Sequence, residues 1–503
     1  MTATSPNSSL HPVNPGMRAS RPGVSLLVLL AGSLLVGFSM GRWLAPLAAW
    51  IGPVLILRYS HDHKVGRGYA MVLAALIVAF GLGFWGVFGP LPSVFIAVGY
   101  GLLWSLPYLA DRILGSRLGG ISRTLVFPLA LTTLEFLNNH TNPLGAWGMT
   151  GFSQYGNLPL MQLASVTGMI GITFLMGWFA STANWAWENR NRGGELGWGL
   201  AVFGSVFAAV FIFGFLRLAL APSSETDETV RVAGITTGST AVVADRISEM
   251  ELADSREQIE AHWQAYFDAT AREAQAGAEV ILWPEASALV WTEDEDSMTE
   301  RAQEVARQNG VYLALPLAVG NFEPREFVWN KLLLIDPSGT IVIEHIKYGG
   351  AILESTRVGD GNIQAVNTPF GVLSGLICYD MDYPAVVHQT GQNGTGLILV
   401  PSLDWYEIDP VHAQMAVFRG IENGMSMVRQ TDEGLSIASD PYGRTLAQVD
   451  FFGATDRTML AQVPTKHVPT IYTAFGRWFE WLCLIGFLYI LTRGSIARRV
   501  ATL

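Results

Sequence analysis

Cys378 closes an apolar run and opens a polar one, in the stretch Gly371–Pro384 (GVLSGLICYDMDYP). Val372–Ile377 has the length and apolarity of a buried strand, and Asp380, Asp382 and Pro384 break it and open a helix. The thiol therefore sits where strand becomes helix. The Tyr379 N–H there can face an oxyanion, and the positive end of a helix favours a thiolate. A small buried packing residue is the other reading of a lone cysteine.

Two further strand ends bear on the choice. Glu279–Ser287 (EVILWPEAS) brings an apolar run to Glu285, and Thr340–Lys347 (TIVIEHIK) ends in Lys347. A thiol of ordinary pKa needs a base to become a nucleophile, and the oxyanion it creates needs a fixed positive donor. Glu285, Lys347 and Cys378 supply base, cation and nucleophile. Their plain alternatives are a loop glutamate, a solvated strand-end lysine and a core cysteine. In this order the three residues resemble the Glu-Lys-Cys triad of the nitrilase superfamily, and within it the membrane-bound apolipoprotein N-acyltransferases.

The composition agrees with a membrane-bound branch. Half of the 503 residues are hydrophobic and 15% charged, far too apolar for a soluble enzyme of this size. A net charge of -11 with no basic run excludes a nucleic-acid partner. Only Cys378 and Cys483 are available for disulfides, so no disulfide framework is expected and Cys378 is a free thiol. No Cys/His cluster has metal-ligand spacing; His61 and His63 read as a solvated loop. We expect no metal and no cofactor.

After a Ser/Pro-rich stretch come apolar runs at 24–40, 43–57, 69–89, 91–109, 124–137, 158–187, 198–220 and 478–491. Several approach the roughly 20 residues that span a bilayer, and the shorter ones borrow flanking residues. The first has the look of a signal peptide, but the uncleaved spans behind it make it an anchor. Arg18 and Arg21, then Arg58, Lys64 and Arg67, then Arg112, Arg117 and Arg123, then Arg190 and Arg192, and finally Arg493, Arg498 and Arg499 mark alternate loops. The positive-inside rule then puts both termini in the cytoplasm and the segment between the last two spans outside it.

We divide the chain into 1–22, a disordered cytoplasmic tail; 23–221, seven transmembrane helices; 222–468, a catalytic domain; and 469–503, an eighth helix and tail. In 222–468 strands alternate with helices such as Ser255–Gln275, Ser297–Gln308 and Val411–Asn423, and Asp336–Gly339 marks a hairpin turn. That alternation predicts a layered α/β fold. The resemblance refines it to a nitrilase-like α-β-β-α sandwich beneath a multi-span α-helical membrane domain.

The resemblance also assigns residues. It implies that Glu285 is the general base, that Tyr379, Asp380 and Glu354 support the oxyanion or its surroundings, and that Trp405, Tyr406 and Trp291 bind substrate. The sequence departs from the family at several points. Tyr348–Glu354 (YGGAILE) replaces a basic residue, Pro-Phe-Gly and glutamate; Cys-Tyr-Asp replaces Cys-Tyr-Glu; and Pro401–Tyr406 (PSLDWY) stands in place of an Asn-Asp-Ala-Trp-Phe loop. His412, Arg419 and Glu422 are expected to be structural members of the following helix. Gly145–Ser165 resembles the family's loop entering the sixth span. The activity this resemblance implies is transfer of an acyl chain from a membrane phospholipid, through a cysteine thioester, to the α-amino group of a diacylglyceryl apolipoprotein at the bacterial inner membrane. A membrane-tethered amidase or hydrolase, and a catalytically silent lipid- or lipoprotein-binding module, are the alternatives.

Overall fold

The computed structural model describes residues 22–191, 193–222, 228–247, 252–322, 325–350 and 356–502. Nearly all of the expected tail, and Glu354, lie outside these. The chain begins with five helices: α1 (Pro22–Gly37), α2 (Pro46–Asp62), α3 (Val65–Gly83), α4 (Pro90–Leu114) and α5 (Val126–Thr141). Two single turns come next, α6 (Leu158–Met161) and α7 (Ala164–Thr167), and then α8 (Ile170–Glu188) and α9 (Gly193–Ala219). Leu27, Leu34, Val78, Phe95 and Leu216 point outward from these helices. A helix that exposes such residues is solvated by lipid chains, not by water.

Among the described residues, four stretches are long and apolar enough to cross a membrane: 65–83, 90–117, 120–141 and 196–219. The run at 158–187 is broken, because 158–167 and 170–188 meet at 115°. Counted as one span, that pair makes five. At 16 and 17 residues, α1 and α2 rise only about 25 Å, short of a 30 Å hydrocarbon layer.

The remaining chain forms two sheets. The first contains β1 (Thr229–Gly234), β2 (Val280–Leu282), β3 (Ala288–Trp291), β4 (Tyr312–Phe322), β5 (Arg325–Ile335) and β6 (Ile341–Ile346). The second contains β7 (Ala365–Thr368), β8 (Gly371–Gly375), β9 (Leu397–Leu403), β10 (Ser426–Asp432), β11 (Leu435–Ser439) and β12 (Thr445–Asp450). The last strand, β13 (Met459–Pro464), returns to pair with β1. The first sheet runs β13-β1-β2-β4-β5-β6 with β3 also on β4, and the second runs β12-β11-β10-β9-β8-β7.

Val230, Val232, Leu282 and Leu332 of one sheet share a core with Leu373, Leu397, Leu399 and Val428 of the other, so the sheets pack face to face. Helices α10 (Thr240–Ile247), α11 (Leu252–Gln275) and α12 (Glu295–Asn309) lie on the first sheet's side, where Ile259, Tyr266, Trp283 and Leu315 pack together. Helices α13 (Pro384–Gln392) and α14 (Val411–Asn423) lie on the second sheet's side. This is the α-β-β-α sandwich. The core under α14 runs without a break into Trp147, Phe152, Leu160 and Met169 of the helical domain, so the two domains share a hydrophobic interior. A short α15 (Ile471–Phe475) leads to α16 (Trp478–Thr502), which packs on α5.

Most expected elements lie where the patterns put them; α14 covers the expected residues, and the hairpin turn joins β5 to β6. Two ends differ, and both matter chemically. β8 stops at Gly375, after which Leu376 still bonds Leu399 before the chain turns at Cys378. β9 continues past Pro401 to Leu403, because it pairs in register with β10 as far as Asp432, and so it delivers Asp404 to the same end of the sheet.

Candidate active site

Three strand ends converge. Cys378 heads a short 3₁₀ turn, Cys378–Asp382, and adopts the left-handed φ of 43°, a conformation a non-glycine residue holds only where its surroundings impose it. Asp380 is one such constraint. Its Oδ1 accepts the N–H groups of Tyr348 (2.9 Å) and Gly349 (2.6 Å), and its Oδ2 accepts those of Ile377 (2.9 Å) and the His345 ring (2.7 Å). A fully buried carboxylate thus ties the strand end carrying Lys347 to the turn carrying Cys378. The length of Asp suits this clamp.

Glu285 is held from three sides. Lys347 Nζ (2.5 Å) and Asn330 Nδ2 (2.7 Å) donate to Oε1, and the Leu403 N–H donates to Oε2 at 3.0 Å. The Leu403 carbonyl oxygen lies 3.7 Å from Cys378 Sγ, so one residue's backbone bridges Glu285 and the thiol. Glu285, Lys347 and Cys378 are all almost fully buried. Burial pushes the Cys378 thiol well above its ordinary range, and the Glu285 charge adds to this against the opposing pull of Arg429 and Lys347. Burial thus opposes whatever the turn's positive end does to favour a thiolate. The N–H of Tyr379 belongs to the first turn of that short helix, where donors lack internal partners.

Beside the triad lies a second charged group. Fully buried Arg429 places Nη2 3.9 Å from Cys378 Sγ, 2.7 Å from Asp404 Oδ1 and 3.0 Å from His412 Nδ1. His412 also bridges Asp404 (2.7 Å) and Asp382 (2.8 Å). Burial opposes the charge on Asp404, but Arg429 and His412 outweigh it and hold the carboxyl below its usual range. Burial and Arg429 pull His412 down, yet its two carboxylates win and raise it. Sγ, Asp404 and His412 offer donors within 4.8 Å of one another, a set suited to a soft divalent ion, but the Arg429 guanidinium touches all three and already supplies the positive charge.

A cavity of about 420 Å³ reaches Glu285 and Asp404, lined also by Asn330, Leu403 and Trp405, with Thr240, Ala241 and Ala244 of α10 forming another wall. Trp405 donates its indole N–H to Val87 of the helical domain at 2.8 Å. Tyr406 is largely exposed and meets Phe452, and Trp291 packs in the core beneath Arg256; neither lines the cavity. Arg419 pairs with Glu422 as expected, and Glu422 also takes the Met169 N–H of the membrane half. His412, expected to be structural, stands at the site. His61, expected in a solvated loop, sits in the last turn of α2 with its ring held between Asp111 and Glu188. Sequence reasoning passed over Arg429. Its signal was a lone arginine inside a strand whose every residue is buried.

The membrane half reaches the Cys378 turn directly. Ala146 N–H bonds Asp382 O (2.8 Å), Tyr379 OH bonds Leu144 O (3.4 Å), and the Trp147 ring lies parallel to Tyr379 and 5.2 Å from His412. Gly145, at a φ of +57°, has no room for a side chain: a Cβ would come 2.5 Å from Asp382 O. Comparison with known proteins accounts for this joint architecture. Residues 241–470 match the carbon-nitrogen hydrolase family model, and residues 31–182 match that of the apolipoprotein N-acyltransferase N-terminal domain. The chain belongs to the apolipoprotein N-acyltransferases.

Relatives of that name support the assignment. One from Bradyrhizobium diazoefficiens is 27% identical, over 76% of this chain and 74% of its own. Those from Brucella melitensis and Geobacter metallireducens are 25% and 23% identical, over 88% and 92% of this chain and 90% and 93% of theirs. Among solved structures, a Nesterenkonia amidase with an adduct at its active-site cysteine aligns with a TM-score of 0.40 at 20% identity, over 52% of this chain and 97% of its own. The members of this family are acyltransferases of the nitrilase superfamily.

Proposed function

We propose that this enzyme moves a fatty acyl chain from a membrane phospholipid to the α-amino group of a lipoprotein's diacylglyceryl-cysteine, through a thioester on Cys378. The observation that carries the reading is the buried Glu285–Lys347–Cys378 group, whose Glu285 lines a largely apolar cavity beside membrane-embedded helices. Glu285 takes the thiol proton, and Cys378 attacks the ester carbonyl. Lys347 and the Tyr379 N–H hold the oxyanion. The proton passes from Glu285 to the departing lysophospholipid oxygen. The acceptor's ammonium gives up one proton to water, the resulting amine attacks the thioester carbonyl, the C–S bond breaks, and one of the two remaining N–H protons returns to sulfur through Glu285 while the last stays on the amide nitrogen. Ping-pong kinetics result. Asp380 positions the two strand ends, and Trp405 borders the substrate space. Keeping both lipids in the membrane avoids about 0.8 kcal/mol per methylene exposed to water.

The same reading places the protein in the inner membrane with eight spans, both termini cytoplasmic, and residues 222–468 outside the cytoplasm. The alternating arginines and the apolar helices support it. The test is a mass measurement. Purified enzyme, phospholipid and a synthetic diacylglyceryl-cysteine peptide should yield peptide heavier by one acyl chain and lysophospholipid in equal amount. Free fatty acid with unchanged peptide would make it a hydrolase instead.

A further inference from the structure

Asp404 uses one oxygen for all its described bonds. Oδ1 takes both Arg429 and His412, while Oδ2, on a residue only 3% exposed, accepts no hydrogen bond from any described residue. A buried charged acceptor left without a donor is costly, and nothing in the packing of β9 requires one. The residue lines the cavity together with Glu285, and its Oδ1 lies 4.0 Å from Cys378 Sγ. Across from Oδ2 stands Gly434, where an added Cβ would come within 3.0 Å of that oxygen, so a side chain there would press on the carboxylate. The carboxylate also opposes formation of the thiolate beside it. It burdens the first half-reaction, and a benefit is to be sought in the second.

We propose that Asp404 is the site that receives the acceptor's α-ammonium group, with Oδ2 accepting one of its N–H bonds before the amine attacks the thioester. This rests on the acyl-transfer reading above. The charge fits: a carboxylate repels phosphate and carboxylate groups and attracts a primary ammonium at about 2.8 Å. The position fits as well, because the same carboxyl group reaches to 4.0 Å from the Cys378 Sγ that carries the acyl carbonyl. A phospholipid ethanolamine offers the same ammonium, but its nitrogen is many bonds from the ester carbonyl that must meet Cys378, whereas the acceptor's nitrogen must meet that carbon itself. Among the described residues, the titratable and charged groups facing Asp404 are His412 from α14, Arg429 from β10, Cys378 from its turn, Asp409 from the loop after β9, and Glu285 and Glu433 around the cavity, with Lys347 on Glu285. In this step the ammonium gives one proton to Glu285, the freed lone pair bonds the carbonyl carbon, and the C–S bond breaks. Glu285 returns its proton to sulfur and the second N–H proton goes to water.

Full-length enzyme, acylated on Cys378 and freed of donor, is discharged in single turnovers by the diacylglyceryl-cysteine peptide or by hydroxylamine, which is uncharged at neutral pH. Asp404→Asn should slow peptide discharge about thirtyfold or more, mainly by raising the peptide concentration for half-maximal rate. Hydroxylamine discharge should change far less. Equal losses with both nucleophiles would overturn the assignment. So would a loss confined to acylation by ethanolamine phospholipids and absent with glycerol headgroups, which would move the site to the donor. The wild-type protein supplies an independent arm. If the ammonium is the bound form, the half-maximal peptide concentration stays flat from pH 6 to the amine's pKa, about 8, and rises beyond it. A tenfold fall per pH unit over that range would show that only the neutral amine binds and would overturn the proposal. A wild-type enzyme that forms no thioester would instead remove the acyl-transfer reading itself, and this acceptor with it.

Discussion

Asp380 Oδ1 accepts the Gly349 N–H at 2.6 Å, and through this bond the strand end bearing Lys347 is fixed to the turn bearing Cys378. The same carboxylate takes three other donors and no acceptor. Asp380→Asn should therefore hurt out of proportion to its size. Its amide must turn an N–H toward one of the donors, leaving a buried group unsatisfied at a cost of about 1–3 kcal/mol. Thermal unfolding in detergent should shift downward, and acyl-enzyme formation should slow as the two ends part. An unchanged melting curve would remove the clamp from the account.

Cys378→Ala should abolish the covalent adduct and turnover, and Cys378→Ser should leave at most a trace. Cys483→Ala should leave both intact, because that residue packs in α16 away from the cavity. Intact-protein mass after incubation with phospholipid reads all three. A surviving adduct in Cys378→Ala would name another nucleophile.

Glu285 and Lys347 can be told apart by pH. Glu285→Gln keeps the shape but leaves the sulfur protonated, and alkaline pH should partly restore acylation. Because burial raises the thiol well above its ordinary range, the recovery should still be climbing at pH 9 and should not level near the free-thiol value of about 8.5. Lys347→Met loses a cation aimed at the oxyanion, about 3 kcal/mol or over a hundredfold in rate, which alkali cannot return. Equal rescue of both would reverse or dissolve the two roles.

Arg429→Met tests the charge that the sequence hid. It strips Asp404 of its guanidinium and leaves a buried carboxylate facing the sulfur, which should destabilise the fold by about 3–5 kcal/mol and drive the thiol higher still. Arg429→Lys should recover part of both. Iodoacetamide rates against pH report the thiol, and melting reports the fold. A thiol that reacts faster in Arg429→Met than in the wild type would refute the electrostatic role.

Legibility in the sequence depended on the distance over which residues cooperate. Glu285, Lys347 and Cys378 each end a local apolar run, so pattern alone put all three at strand ends, and the resemblance joined them. The α14 boundaries were equally local. By contrast, Arg429, Asp404, His412 and Asp382 come from β10, the end of β9, α14 and the turn after β8, and only the register of β9 on β10 brings them together. Periodicity carries no such information. The docking of Trp147 on Tyr379 and His412 is likewise a contact between domains far apart in sequence.

Orientation has its own test. A reporter active only outside the cytoplasm should work when fused after Pro222 and fail when fused at Leu503. The opposite pattern would overturn the topology read from the loop arginines.

The most direct measurement starts from enzyme acylated on Cys378 by an alkyne-bearing phospholipid, stripped of donor, and timed as it loses the label. A transferase predicts a thioester that persists in buffer and is discharged rapidly by the diacylglyceryl-cysteine peptide, with the label appearing on the peptide's α-nitrogen. Loss at the same rate with and without peptide, with the label recovered as free acid, would contradict acyl transfer.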